Sequence, residues 1–328
     1  MGSDFWYFSK HNKSLIMLHK IRIVSFLILA ASFCSTVNAQ VEIFSKNSLE
    51  KIKGGNTHVI VNDLSFNRSS EFYTIFKKYW TVTKSVEFLK ADDLQNNLVA
   101  GDTYFSLENL LITSDKYGGN SYFYLNLWMP DEKVLKKGRE FKITNEISIA
   151  HIQISVDAKA TLDGYMSHKN YGFDFDGGGH IFNWNPGILK NYLQQLSTLL
   201  QKGKKSDFRD DLANKDQLHN LSSQTLYCSE DNFHKIGVFM RGNKNVDPNE
   251  VFEAYKYKYK ILKKDELEDK ILADEVQFFY LLFLRNSSSK MVAVVNSRTG
   301  EIIYNRYKSL MAFILKSGDL KSLSKAIK

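Results

Sequence analysis

The chain has 328 residues, of which 43% are hydrophobic and 13% aromatic, and its formal net charge is +8. This apolar content can supply a large core and excludes an intrinsically disordered chain. The first 39 residues hold four basic residues and one acidic residue, so the remainder carries a net charge of +5 (8 − 3). That mild excess is spread along the chain and does not predict a nucleic-acid-binding protein.

The N-terminus has the order of segments typical of a secretory signal peptide. Lys20 and Arg22 form a basic region, residues 23–33 are apolar, and Val37 to Ala39 ends in the small side chain that precedes cleavage. The apolar stretch is shorter than the roughly 20 residues of a membrane-spanning helix. The sequence therefore predicts a removable leader, a mature protein that begins at Gln40, and no transmembrane helix after the leader is removed.

The leader also sets the expected compartment and the state of the cysteines. Export predicts the periplasm, the outer membrane surface or the medium. Cys34 leaves with the leader, so Cys228 is the single cysteine of the mature chain and no intramolecular disulfide can form. A lone thiol on an apparent strand usually packs as a small hydrophobic side chain. The core alone must therefore stabilise the fold.

Two segments of the chain predict the same order of elements. Residues 57–128 and residues 225–304 each indicate strand, helix, strand, helix, strand and hairpin. Within them, residues 88–94 align with residues 261–267, and four of these seven positions are identical. The sequence therefore predicts an internal duplication with a period near 173 residues.

The predicted fold class is mixed, α+β or α/β, with two small related units. After the leader (1–39), the first unit covers residues 40–141 and the second covers residues 216–328. Residues 142–215 between them predict a β-rich segment, one amphipathic helix that begins at Pro186, and a linker.

The order of elements in each unit resembles, at the level of topology, the N-terminal domains of TolB-like and curli-secretion-like envelope proteins. The signal ending Asn38-Ala39-Gln40 and the abundance of Lys, Asn, Ile and Tyr are similar to those of uncharacterised exported proteins of Bacteroidota. These resemblances imply an exported protein of the cell envelope. They transfer no site residue to this chain.

The densest group of potential ligand-binding side chains is Asp174, Asp176 and His180, with glycines at 177–179 between them. A calcium loop that starts at Asp174 would need an oxygen-bearing side chain where Gly178 stands. A phosphate loop would need a helix directly after the glycines and a Lys-Ser or Lys-Thr pair. The favoured interpretation is a tight Gly-rich hairpin. A metal site of two aspartates and one histidine is the alternative.

Aromatic residues crowd the same part of the chain. Rings of this kind stack on sugars as readily as they fill a core, and core packing is the favoured interpretation. Trp184 joins Asp174, Asp176 and His180 as the candidate ligand-binding residues. The crowded rings are Tyr165, Tyr171, Phe173, Phe182, Trp184 and Tyr192.

No catalytic motif accompanies these candidates. Gly-x-Ser-x-Gly and His-Glu-x-x-His are both absent, and the histidines of the mature chain are scattered. The sequence therefore predicts no catalytic residue, no metal ligand and no cofactor. Lysine and tyrosine alternate from Tyr255 to Lys260, which is typical of a half-buried strand with its lysines in solvent. A nucleic-acid-binding surface is the less favoured interpretation of that run.

Three functions fit these observations. The first is a non-catalytic envelope or secreted protein that binds another envelope protein. The second is a periplasmic protein that binds a sugar or a metal at the loop from Asp174 to His180, and the third is a hydrolase that uses the same loop. The two similar segments share a pattern of core residues and no polar motif, which favours the first function.

Overall fold

The fold is described from a computed structural model. The chain divides into two compact units, Met1–Thr36 and Val37–Lys328. The residues that the structure describes all belong to the second unit, and for residues 109–114 and 118–121 the description covers the backbone alone. The described residues are 41–45, 47–114, 118–137, 142, 145–157, 175, 180–234, 246–286, 289–309 and 314–328.

The predicted mixed class is confirmed, because helices accompany two sheets that combine parallel and antiparallel strands. The first sheet has the strand order β3-β2-β4-β5-β6-β1, and a short seventh strand pairs with β6. β2 is parallel to β3 and to β4, and the remaining pairs are antiparallel. Its strands are β1 (Val41–Ile43), β2 (Thr57–Val61), β3 (Val86–Lys90), β4 (Thr103–Ser114), β5 (Gly118–Pro130), β6 (Glu146–Val156) and β7 (Ile181–Phe182).

Two helices of this part of the chain begin at residues with a distinctive conformation or hydrogen bond. Asn185 starts the longest one: its Oδ1 accepts a hydrogen bond from the Ile188 amide at 2.8 Å, and Pro186 takes the first helical position. Arg68, in a left-handed conformation at φ 60°, directly precedes the helix that begins at Ser69. The helices are α1 (Ser48–Ile52), α2 (Ser69–Tyr79), a 3-10 helix (Ala91–Asn97), α3 (Glu132–Leu135) and α4 (Pro186–Gln201).

The second sheet has the strand order β10-β9-β11-β12-β13-β8. Its strands are β8 (Leu212–Ala213), β9 (Leu226–Ser229), β10 (Tyr259–Leu262), β11 (Phe279–Arg285), β12 (Ser289–Asn296) and β13 (Ile302–Ser309). The α-helices that accompany it are α5 (Lys215–Leu218), α6 (Pro248–Phe252), α7 (Lys264–Ala273) and α8 (Ser317–Ala326).

The two sheets have the same topology. β9 is parallel to β10 and β11, as β2 is to β3 and β4, and in both sheets an antiparallel hairpin and two further antiparallel strands follow. The registers also correspond, because Thr57 pairs with Thr103 as Leu226 pairs with Phe279. Residues in the paired stretches that the two sheets share therefore have matching positions.

The described elements lie in four layers. α2 and α4 cover one face of the first sheet, and α4 together with α7 packs against one face of the second sheet. α6 and α8 cover the opposite face of the second sheet. A Cβ on Gly187 of α4 would lie 3.1 Å from the Glu268 carbonyl oxygen of α7, which shows how closely these helices approach. Helix α4 is thus shared by both sheets.

The strand pairing divides the chain at other places than the predicted unit boundaries. β6 falls in the segment 142–215 that was expected to lie between the units, yet it pairs with β5 and β1 in the first sheet. β8, in the predicted linker, pairs with β13 in the second sheet. With three and two residues, β1 and β8 are too short to show an alternating pattern in the sequence.

Candidate functional site

Two of the four residues that the sequence predicts to bind a ligand are described by the structure. These are His180 and Trp184. Asp174 and Asp176 lie outside the described residues, as do the glycines at 177–179 of the predicted turn.

Trp184 lies in the core between the two sheets. Its side chain is 1% exposed, and its Nε1 donates a hydrogen bond to the Phe175 carbonyl oxygen at 2.5 Å. The rings of Phe72, Phe175 and Tyr192 surround it at centroid distances from 5.3 to 6.4 Å. This position matches the core packing favoured for the aromatic residues of this segment.

His180 lies at the start of β7, opposite the end of β6. Its Nδ1 is 2.7 Å from Asp157 Oδ2, and both side chains are partly exposed. The next ring on the same strand, that of Phe182, stacks with His234 at 5.9 Å. Within the described ranges, no three His, Cys, Asp or Glu side chains come together in a way that could hold a metal ion.

A second group of polar side chains, which the sequence did not single out, lies on the first sheet. It occupies the face turned away from α2 and α4. Strand pairing places Ser106, Asn126, His151 and Glu42 side by side in one row across β4, β5, β6 and β1. We call this surface the polar face and define it by Glu42, Ser106, Glu108, Tyr124, Asn126, Trp128 and His151.

A chain of hydrogen bonds connects the middle of the polar face. Asn126 Nδ2 donates to both carboxylate oxygens of Glu108, at 2.9 and 3.0 Å, and Ser106 Oγ donates to the same carboxylate. Trp128 Nε1 in turn donates to Ser106 Oγ at 2.9 Å. Asn126 is 1% exposed, and no described residue donates a hydrogen bond to its Oδ1. A buried amide oxygen without a donor is an exception, because most buried polar groups are hydrogen-bonded.

Burial shifts the pKa of each titratable group discussed here towards its uncharged form. Removal from water lowers the pKa of His151 to about 4, so its imidazole is neutral at pH 7. Burial raises the pKa of Glu108 above its usual range, although the hydrogen bonds from Ser106 and Asn126 act in the opposite direction. Burial and the nearby carboxylate of Asp207 likewise raise the pKa of Glu42. The polar face therefore combines a neutral imidazole with two carboxyl groups whose pKa values burial raises.

Stacked rings flank the network on both sides. His58, Tyr104 and Trp128 stack in sequence across three strands, with centroids 5.1 and 4.7 Å apart. On the other side, the rings of Tyr124 and His151 stack at 4.6 Å. These rings hold the network at a defined place on the sheet.

The rim of the polar face reaches solvent at one side. Glu42, Glu108 and His151 are partly exposed, whereas Ser106, Asn126 and Trp128 are buried. Phe44, with 37% of its surface exposed, touches His151 edge-on at a centroid distance of 4.8 Å. A partner that contacts Phe44 would therefore lie against the edge of the polar face at His151.

The second sheet has apolar residues at the positions that match the centre of this network. Leu282, Leu284 and Ala293 stand where the first sheet has Ser106, Glu108 and Asn126, and all three are buried. They belong to the core formed with α4 and α7. The polar side chains are therefore a property of the first sheet and are not required by the topology. The sequence contained a signal for this network. A single polar residue stands between two apolar ones on each strand, Ser106 on β4 and Asn126 on β5.

Comparison with known proteins adds no further information to this geometry. No protein-family model, no curated protein and no solved structure matches the chain.

Proposed function

We propose that this chain is an exported, non-catalytic protein that binds another protein of the cell envelope through the polar face of its first sheet. The observation that carries the proposal is the contrast at matching positions of the two sheets. Where Leu284 and Ala293 pack beneath helices, Glu108 and Asn126 form a hydrogen-bonded pair. Buried polar groups cost free energy unless they are satisfied, so an apolar face would be the simpler way to build this sheet.

An internal duplication accounts for this difference between the matching faces of the two sheets. The identical strand order supports the predicted duplication, and so do the aligned segments 88–94 and 261–267, each of which runs from a strand into the following helix. The aligned residues Leu94 and Leu267 are both buried. After a duplication, the second sheet would keep this face for internal packing against α4 and α7, and the first sheet would use it for recognition.

The chemistry of the polar face fits a hydrogen-bonding partner surface. Glu108 and His151 are partly exposed and can form hydrogen bonds, and Phe44 provides an exposed aromatic contact at the rim. Aromatic residues near buried polar groups are common at the centres of protein interfaces.

The proposal that the protein is exported depends on the predicted leader, residues 1–39. Within the part of the chain that the structure describes, no helix has both the length and the apolar character needed to cross a bilayer. Expression in a secreting bacterial host, followed by mass spectrometry of the purified protein, tests this half of the proposal. We expect a mature N-terminus at Gln40, and a full-length chain retained in the cytoplasm would contradict export.

A second candidate function rests on the pair His180–Asp157. A carboxylate 2.7 Å from an imidazole fixes the orientation of the ring, as in a general base or a metal ligand. A periplasmic ligand-binding protein or hydrolase would use this pair. His180→Ala should abolish ligand binding or hydrolysis under this alternative and leave partner binding intact under the first proposal.

Site-specific photo-crosslinking in cells tests the binding surface. A photoreactive residue at Phe44 should yield one discrete crosslinked band that disappears in an Asn126→Ala variant. The same residue at Val276, which is 73% exposed, serves as the control and should yield no such band. Equal crosslinking from both positions, or a band that persists in the Asn126→Ala variant, would contradict the proposed surface.

A further inference from the structure

The two similar units of the chain are stacked, and the stack has a direction. The 3-10 helix Ala91–Asn97 follows β3 as α7 follows β10, and α4 comes after the last strands of the first sheet as α8 comes after those of the second. α4 packs beside α2, and α8 packs beside α6 on the matching face of the second sheet. The other side of α4 packs against the second sheet and α7. This contact shows how one unit receives the helices of the unit before it.

One row of residues on α4 makes the contact with the second unit. Lys190 Nζ donates to a carbonyl oxygen in the last turn of α7 at 3.1 Å. The side-chain amides of Asn191 and Gln194 donate to carbonyl oxygens of the turn between β12 and β13, at 2.8 and 2.9 Å. A Cβ on Gly187 would lie 3.3 Å from the Cα of Glu268 in α7. The four α4 residues are spaced i, i+3, i+4 and i+7, so they share one face of the helix.

The same row recurs on α8, where it is largely exposed. Both helices have glycine at their second position and lysine at their fifth. The leucines at the fourth position, Leu189 and Leu320, are both fully buried. Lys190 is also fully buried, whereas Lys321 is exposed, and a Cβ on Gly318 would have no described atom within 4 Å. We call the matching residues of α8 the α8 row: Gly318, Lys321, Ser322 and Lys325.

The surface that matches α7 is exposed as well, at the other end of the stack. Continuing the alignment of the two strand–helix junctions places Gln95 at the position of Glu268 and Val99 at the position of Leu272. Glu268 is buried, and Leu272 packs against the core that includes α4. Gln95 is exposed, and Val99 is 49% exposed. The 3-10 helix lies on the same side of the first sheet as the polar face, through its buried Leu94.

We propose that the α8 row of one copy docks beside the 3-10 helix, on the polar face of a second copy, as α4 docks beside α7 within the chain. The inference rests on the proposed function and names its partner as a second copy of this chain. Stacked repeats bury a receiving face of one unit against the helices of its neighbour, and this chain leaves one surface of each kind exposed. The contact joins two different surfaces, so it builds an open row of copies or a closed ring.

The charges of the two surfaces are complementary. The α8 row carries Lys321 and Lys325, both exposed. On the receiving side, Asp92 and Asp93 of the 3-10 helix are exposed and Glu108 of the polar face is partly exposed. Opposite charges on two surfaces favour their association and fix its orientation, and added salt weakens the attraction.

Paired cysteines test the contact and its direction. Because Gly187 lies so close to Glu268, cysteines at the matching positions of two copies, Gly318 and Gln95, would be within reach of a disulfide. Gly318→Cys and Gln95→Cys are prepared separately in a Cys34→Ser background, with the same N-terminus checked by mass spectrometry. We expect a disulfide-linked dimer when the two variants are mixed under mild oxidation. Either variant alone should yield little dimer, because a contact between different surfaces does not bring a site against itself.

A chain with both cysteines extends the test. It should form a ladder of disulfide-linked species, or one closed ring of fixed size. The control mixes Gly318→Cys with Val276→Cys, whose position is 73% exposed and lies outside both surfaces, and it should yield no dimer.

Sedimentation velocity of the protein without added cysteines measures the association itself. Lys321→Glu should raise the dissociation constant at least about tenfold, because it places a negative charge against the acidic receiving surface. Lys202→Glu changes an exposed lysine outside both surfaces and should stay within about threefold of the parent. Circular dichroism of each variant checks that its fold is intact.

Several results would overturn the inference. These are dimers of Gly318→Cys alone at the yield of the mixture, equal yields with the Val276→Cys control, and no dimer from the mixture. The photo-crosslink from Phe44 separates the inference from the proposed function. A band that contains two copies of the chain supports both. A band that contains a different protein would leave the proposed function standing and overturn the inference.

Discussion

Asn126 and Ala293 occupy matching positions on the two sheets, and they differ in what they face. Ala293 is fully buried in the core formed with α4 and α7. Asn126 lies on the face of its sheet that these helices do not cover, and it donates hydrogen bonds to both oxygens of Glu108. The same face thus packs against helices in the second sheet and carries a polar network in the first sheet.

His151 should make the protein less stable as the pH falls. Its pKa is about 4 in the folded protein, below the value of about 6.5 in an unfolded chain. Because the unfolded state binds the proton more readily, stability is intact above pH 6.5 and declines as the pH falls towards 4. The loss amounts to about 3 kcal/mol across this window.

His151→Asn places at this position the residue found at the matching position in the second sheet, Asn305. We expect the free energy of unfolding of this variant, measured by urea denaturation from pH 4 to pH 7, to decline less with acidification than that of the parent. Parallel curves for the two proteins would show that His151 does not carry this pH dependence.

Arg68 connects the two halves of the core through a buried carboxylate. Its guanidinium donates two hydrogen bonds to Glu268, at 2.9 and 2.6 Å, and Glu268 is 3% exposed. Arg68→Ala would leave that carboxylate buried without its cation, so we expect a loss of about 3–5 kcal/mol in the free energy of unfolding.

A matched control separates burial from the simple loss of an ion pair. Arg209 and Asp207 form a close pair at 2.5 Å, with 59% of the Arg209 side chain exposed. Arg209→Ala should change the free energy of unfolding by less than about 1 kcal/mol. Similar losses in the two variants would contradict the role assigned to the buried carboxylate.

Cys228 should be inert in the folded protein. Its side chain is fully buried, and burial raises the pKa of the thiol to about 12. In a Cys34→Ser background, we expect no reaction with a thiol reagent such as DTNB until the protein is unfolded. Rapid stoichiometric labelling under native conditions would show that the thiol is accessible.

Much of the fold follows from local patterns. The alternation from Ile147 to Val156 predicts β6, and Asn185-Pro186 predicts the start of α4. The strand–helix junction at residues 88–94 and its counterpart at 261–267 predict the two similar arrangements. These features depend on residues close together in the chain, which is why the sequence alone contains them.

Other features depend on contacts that the sequence does not display. The C-terminal helix α8 was not predicted, because its apolar side is narrow and rests on Leu320 and Leu323. The polar face could not be separated from an ordinary solvent-facing strand pattern. Its significance becomes visible only when α4, almost 80 residues further along the chain than Ser106, is seen to cover the matching face of the second sheet.

The central claim is that the polar network on the first sheet serves recognition and is not needed for folding. A double variant, Glu108→Leu with Asn126→Ala, gives the first sheet the residues found at the matching positions of the second. Replacing a buried polar network with apolar side chains is often neutral or stabilising. The stability of this variant and its crosslinking at Phe44 should be measured together.

We predict a free energy of unfolding within about 1.5 kcal/mol of the parent, or higher, together with complete loss of the crosslinked band. A band of undiminished intensity from a folded double variant would contradict the account. A loss of several kcal/mol in stability would contradict it as well, because it would show that the network holds the fold together.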